Sequence, residues 1–167
     1  GSEMCIRDRF YEMRYDENGK LLKDFILNKE PFNKSKILLA LDFEQTFWRT
    51  FLDNAPLFPG VLDTLKYLKG IEMPIAIVTD LTSHIQFRKL TYFGLEDIFD
   101  TVVTSEEVGK DKPYKKNFLL VLKKLNLPLN SYFWMIGDNP INDIKGAKDS
   151  IKAITLQKIH KGVDKGS

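Results

Sequence analysis

The stretch "IGDNPINDIKGA", residues 136 to 147, ends an apolar run at Gly137 and then places Asp138 and Asp143 close together, with Asn139 and Asn142 between them. Carboxylates crowded at the exit of a strand repel one another unless positive charge sits among them. A divalent cation, a lysine or a helix N-terminus can supply it. Two further polar residues stand near strand ends elsewhere: Thr79 closes "PIAIVT", and Lys112 lies in "VGKDKP", in the loop after "TVVT". A hydroxyl, an ammonium and two carboxylates on one rim suit a phosphate bound with magnesium. The hydroxyl and backbone amides hydrogen-bond phosphate oxygens, the lysine offsets their charge, and the carboxylates hold a metal that keeps several waters. Taken singly, each residue has a plainer use: Thr79 as a helix cap, Lys112 as a solvated loop lysine, Asp143 as an acid at a helix N-terminus.

The elements around these residues decide whether they can meet. After Pro59-Gly60, "VLDTLKYLKG" reads as an amphipathic helix closed by Gly70. "PIAIVT" reads as a buried strand, and Thr82 or Ser83 can cap the helix "HIQFRKLTYFG". "TVVT" is a second strand and "PYKKNFLLVLKKLN" a helix with proline at its start. "YFWMIG" and "KAITL" are two more strands, with a helix from Ile141 to Lys148 between them. This alternation predicts one parallel sheet of at least four strands covered by helices, an α/β Rossmann-like fold. Ligands gather beyond the carboxyl ends of such strands, which is where Thr79, Lys112 and Asp138 fall.

Composition narrows the field. The chain has 167 residues, 43% hydrophobic and 29% charged, enough for one packed domain with an appendage. A net charge of +2 gives no reason to expect nucleic acid, and no apolar run has the length to cross a bilayer. The single cysteine, Cys5, allows no intramolecular disulfide and no thiolate cluster, which suits the cytoplasm; with only two histidines, any metal is expected to be a hard, oxygen-liganded one. The first nine residues, "GSEMCIRDR", connect to no apolar period and read as non-native.

In order and spacing, "VTD" at 78–80, "VGKDKP" at 108–113 and "GDNPIND" at 137–143 resemble the motifs of the haloacid dehalogenase superfamily. The lead-in "LFPGVLDTLKYLK" looks like that family's metabolite phosphatases. The resemblance implies that Thr79 binds the transferring phosphoryl group and that Lys112 steadies phosphate and nucleophile. It also implies that Asp138 ligates Mg2+ directly, and that Asp143 supports the metal shell and pairs with the lysine. Haloacid dehalogenases proper need no metal and usually lack the acidic fourth motif. With both aspartates present, hydrolysis of a small phosphorylated substrate is the expected reaction. The implied organisation is a non-native 1–9, a helical partial-cap segment at 10–54, the core at 55–160 and a tail at 161–167.

The family's nucleophile stands in a D-x-D-x-T motif at the end of the first strand. Its first aspartate attacks phosphorus, and the second protonates the leaving group and later activates water. The nearest match here is "ALDFEQTFW", where Asp42, Glu44 and Thr46 take the spacing with glutamate for the second aspartate. Two readings compete. Asp42 is the nucleophile of a cap-less enzyme, or residues 35–53 are a cap helix and the true motif lies upstream. The unbroken helical period of "SKILLALDFEQTFWRTFLDN" favours the second. A phosphoacceptor receiver domain would carry its acidic residues before the threonine, and a dinucleotide module would need a glycine-rich turn that is absent. A non-catalytic binding protein on the same fold is the remaining alternative.

Overall fold

The computed structural model describes residues 36–163, 165 and 166. The non-native reading of residues 1–9 and the helical reading of 10–35 fall outside them. The chain divides into two compact units, Gly1–Pro56 and Leu57–Ser167.

In the first unit, α1 (Lys36–Asp53) is one continuous helix, as its period predicts. Its C-terminal half gathers three aromatic rings. Phe47 and Phe51, one turn apart, stack at 6.3 Å, and Trp48 meets them edge-on at 5.3 and 5.7 Å. Asp42 lies in the middle of this helix, where no strand ends.

The second unit runs α2 (Val61–Gly70), β1 (Ala76–Thr79), α3 (Ser83–Tyr92), β2 (Thr101–Thr104), α4 (Ser105–Val108), α5 (Lys115–Lys124), β3 (Trp134–Gly137), a π-helical segment (Pro140–Lys145), α6 (Gly146–Ile151) and β4 (Ile154–Gln157). Among the described residues, all pairing is parallel. β1 joins β2 from Ala76↔Thr101 to Thr79↔Thr104, and β3 joins β4 from Trp134↔Ile154 to Gly137↔Gln157. The α/β Rossmann-like class is therefore present, but among the described residues the four strands form two separate ribbons rather than one continuous sheet. The helix expected from Ile141 to Lys148 likewise divides, its first half widening into the π-helical segment.

Backbone alternation shows which edges remain. The Ile75 carbonyl accepts from Asp100 N on the β2 side (2.8 Å), so Ala76 and Val78 direct their backbone polar groups to the opposite edge. The carbonyls of Phe133 and Gly137 accept from Ile154 N and Lys158 N on the β4 side (2.8 Å each), so Trp134 and Ile136 point to the outer edge of β3.

Helices cover one face of the ribbons. α5 places Phe118, Val121 and Leu122 at i, i+3 and i+4, and they pack with Val103, Ala147, Ile151 and Ala153 into the core. Phe118 is 1% exposed, and its burial contributes about 1.5–3 kcal/mol. Phe133 and Met135 reach this core from β3. The alternate residues face away, leaving Trp134 62% and Ile136 64% exposed beside exposed Ile154 and Leu156. Among the α5 lysines, Lys124 does more than face water: it donates to the Val102 carbonyl (2.9 Å) and pairs with Glu107 (2.7 Å). No helix among the described residues is long and apolar enough to cross a membrane.

Candidate active site

Three segments of the second unit meet at the carboxyl ends of β1 and β3. Thr79 is the last residue of β1 and is buried. Its Oγ1 accepts from Leu81 N at 3.2 Å, which leaves the hydroxyl proton to donate elsewhere. Asp80 follows, and its Oδ1 accepts from Lys112 N at 2.8 Å, tying the lysine loop to the strand end. Burial pushes the Asp80 carboxyl above its ordinary value, against the opposing pull of the Lys112 amide and ammonium. Sequence patterning gave Asp80 no role; its only signal was its place directly after Thr79.

Lys112 connects the two ribbons. Its ammonium donates to the Val78 carbonyl (2.9 Å) at the outer edge of β1 and to Asp143 Oδ1 (2.7 Å). The two side chains are only 10% and 8% exposed. Of the three ammonium protons, two are thus engaged, leaving one for the rim. The Lys112–Pro113 peptide is cis.

Asp143 reaches the lysine because of the turn that precedes it. Asn139 caps that turn, its Oδ1 accepting from Ile141 N (3.0 Å) and Asn142 N (2.8 Å), with Pro140 at the first helical position. The Asn139 carbonyl accepts from both Asp143 N (3.0 Å) and Ile144 N (3.2 Å), the wider spacing that makes the segment π-helical. Asp143 then folds back and accepts from Asn139 N through Oδ2 at 3.1 Å. Its side chain lies against Gly137, where an added Cβ would stand 2.5 Å from Asp143 Cβ. Gly146 serves the same end, since a Cβ there would meet Pro113 and Phe118 at 2.9 and 3.0 Å.

Asp138 stands in a more open place. Its side chain is 42% exposed, and its Oδ2 lies 3.1 Å from His160 Nε2. The Asp138 carbonyl accepts from Gln157 Nε2 at 3.0 Å. His160, which composition alone passed over, comes from the segment after β4 and could be found only once the chain is folded. Asp42, on α1 in the other unit, ends no strand.

The donor set fits a hard cation in a limited way. Asp138 offers a half-exposed carboxylate, whereas both Asp143 oxygens are already engaged. Among the described residues no group of three His, Cys, Asp or Glu side chains is placed to hold a metal. This suits magnesium held through one direct carboxylate, waters and substrate phosphate rather than by a full protein cage.

Comparison with known proteins gives this geometry a family. A profile described as haloacid dehalogenase-like hydrolase matches residues 21–154. Ribulose-1,5-bisphosphate 5-phosphatase from Halopiger xanaduensis is 39% identical over 108 residues, which is 65% of this chain and 45% of that protein. The chain thus spans about half the length of this relative. The crystal structure of a HAD phosphatase from Thermococcus onnurineus superposes with a TM-score of 0.65 at 28% identity, covering 74% of this chain and 55% of that one. That of HAD-hydrolase YfnB from Bacillus subtilis, described as bound to magnesium, has a TM-score of 0.58 at 25% identity over 94% and 73% of the two chains. The chain belongs to the haloacid dehalogenase-like hydrolase family.

Proposed function

We propose that this chain carries the phosphate- and magnesium-binding side of a cytoplasmic phosphatase acting on small phosphorylated metabolites. Its nucleophile then lies on a strand upstream of the described residues. The observation that carries this reading is the Lys112 ammonium held between the Val78 carbonyl, next to Thr79, and the Asp143 carboxylate. One cation so fixed links the ends of both ribbons at the rim where a phosphoryl group would lie. The name of the Halopiger relative supports the substrate class, and the net charge of +2 supports a small anion over nucleic acid.

In the proposed site, the Thr79 hydroxyl and the third Lys112 proton hydrogen-bond phosphoryl oxygens. Asp138 would hold magnesium, and Asp143 keeps Lys112 oriented toward the rim. Magnesium bound there supplies charge that offsets the phosphoryl oxygens. An upstream aspartate attacks phosphorus as the ester P–O bond breaks, a second acid gives its proton to the leaving alcohol, and water then hydrolyses the aspartyl-phosphate to release phosphate.

Two features support an upstream strand. Among the described residues, β1 and β3 each pair on one side only, with backbone groups directed to the other edge. The face holding Trp134, Ile136, Ile154 and Leu156 is also exposed, as expected where a further strand and helix would pack. Asp42 does not supply the motif from within α1. On this reading α1 is the last helix of a cap.

The test uses a protein extended by its native upstream segment. It should hydrolyse small phosphate esters only with magnesium, and Thr79→Val should lower kcat by about a hundredfold or more, the usual loss for one transition-state hydrogen bond. Metal-independent turnover, or turnover unchanged by Thr79→Val, would overturn the assignment.

A further inference from the structure

Asp138 sits on a strand end and is 42% exposed, so its carboxylate has room to turn into solvent. Around it, however, the segment after β4 folds back over the end of β3. Lys158 N donates to the Gly137 carbonyl at 2.8 Å, and Gln157 Nε2 donates to the Asp138 carbonyl at 3.0 Å. These bonds bring His160 to Asp138, with Nε2 3.1 Å from Oδ2. A carboxylate only accepts, so Nε2 is the donor. Nδ1 faces the Lys161 carbonyl at 3.3 Å, and the Phe58 ring lies 6.0 Å from the imidazole, tilted by 40°. The Lys158 ammonium sits 4.7 Å over the same Phe58 ring. The Phe58 ring therefore backs the imidazole while Nε2 holds one oxygen of Asp138.

From this we propose that His160 is a positioning residue for the metal: it fixes Oδ2 of Asp138 by a hydrogen bond and so presents Oδ1 to magnesium. The inference rests on the reading of Asp138 as the magnesium ligand. A carboxylate whose second oxygen is tied to a protein donor loses less rotational freedom on binding a cation, and such outer partners shape metal affinity without touching the ion. Phe58 backs the ring from the turn before α2, so the site's readiness for metal depends on two segments outside the three sequence motifs.

The experiment is a magnesium chloride titration of the chain, followed by the backbone amide resonances of Asp138 and Asn139. The unsubstituted chain should show saturable shifts, and Asp138→Asn should abolish them. His160→Ala should weaken binding about tenfold, whereas His160→Gln, which keeps an N–H donor near the position of Nε2, should stay within about threefold of the original. Binding by His160→Ala as tight as by the unsubstituted chain, with Asp138→Asn still silent, would overturn the role of His160 and leave the metal site standing. Equal weakening by His160→Gln and His160→Ala would also overturn it, because the donor would then not be what matters. An unsubstituted chain without saturable shifts would overturn the metal reading, and this inference with it.

Discussion

Asp138 and Asp143 leave the same strand end and end up in opposite surroundings. Asp143 is buried, pairs with Lys112 at 2.7 Å and accepts the Asn139 amide at 3.1 Å. Asp138 is 42% exposed and meets a histidine that is itself 22% exposed. The difference separates two tasks. A buried pair with every oxygen engaged is fixed and cannot readily exchange partners, which suits holding a lysine in place. A half-exposed carboxylate restrained on one side can take an incoming cation with little desolvation. Five residues of chain suffice to divide them because the π-helical segment turns one carboxylate inward and leaves the other at the strand end.

The sharpest way to break this comparison is to remove one partner of the buried pair. Lys112→Met leaves Asp143 buried without its counter-charge, and unfolding by urea should show a loss of about 3–5 kcal/mol. Replacing both, as Lys112→Met with Asp143→Leu, should recover most of that loss, since an apolar pair of similar volume is often neutral or better. A double variant as unstable as the single one would mean that Asp143 matters for packing rather than for charge. Next in size is Gly137→Ala. Its new methyl would enter the space of the Asp143 side chain, and the forced shift should cost about 1–3 kcal/mol by the same measurement.

Asp138→Asn should behave quite differently. The exposed pair with His160 should contribute only about 0–1 kcal/mol to stability, so the midpoint of unfolding should hardly move while magnesium binding is lost. A large destabilisation would erase the contrast between the two carboxylates. The smallest expected effect lies away from the rim. Asp100 accepts from Lys69 Nζ at 2.7 Å and Ile75 N at 2.8 Å, and these donors hold its carboxyl below the ordinary value. A depressed folded pKa gives stability that is present above the unfolded value and lost as pH falls through the folded one. Asp100→Asn should therefore cost under about 1 kcal/mol at neutral pH, because the pair is exposed, and the cost should vanish in strong acid.

How far the sequence revealed this division can be read residue by residue. Thr79 and Asp138 were legible because each stands at the end of an apolar run, and Lys112 and Asp143 because they follow in the loop and turn after such runs, in the order in which a parallel sheet delivers strand ends. α1 was legible from an unbroken helical period. The two ribbons were not, because strand pairing is a non-local choice that "PIAIVT" and "YFWMIG" do not encode by themselves. Asn139 was visible only as a residue between the two aspartates, since its double acceptance depends on the helix widening after Pro140. His160 left no pattern at all; it reaches Asp138 through the return of the chain after β4. Lys124 reaches the Val102 carbonyl of β2 through a contact that no local spacing predicts.

The central claim is that this chain holds the clamp for a phosphoryl group while the attacking carboxylate comes from elsewhere in the protein. Its most direct test is the rate of p-nitrophenyl phosphate hydrolysis by the 167-residue chain itself, with saturating magnesium. Loss of a nucleophile and its acid–base partner removes several orders of magnitude of rate, because the remaining groups can only position substrate. The account predicts no magnesium-dependent turnover above background from this chain, and turnover once the native upstream segment is restored. Clear turnover by the present chain that disappears on Asp42→Asn would contradict it, and would make "DFEQT" the first motif after all.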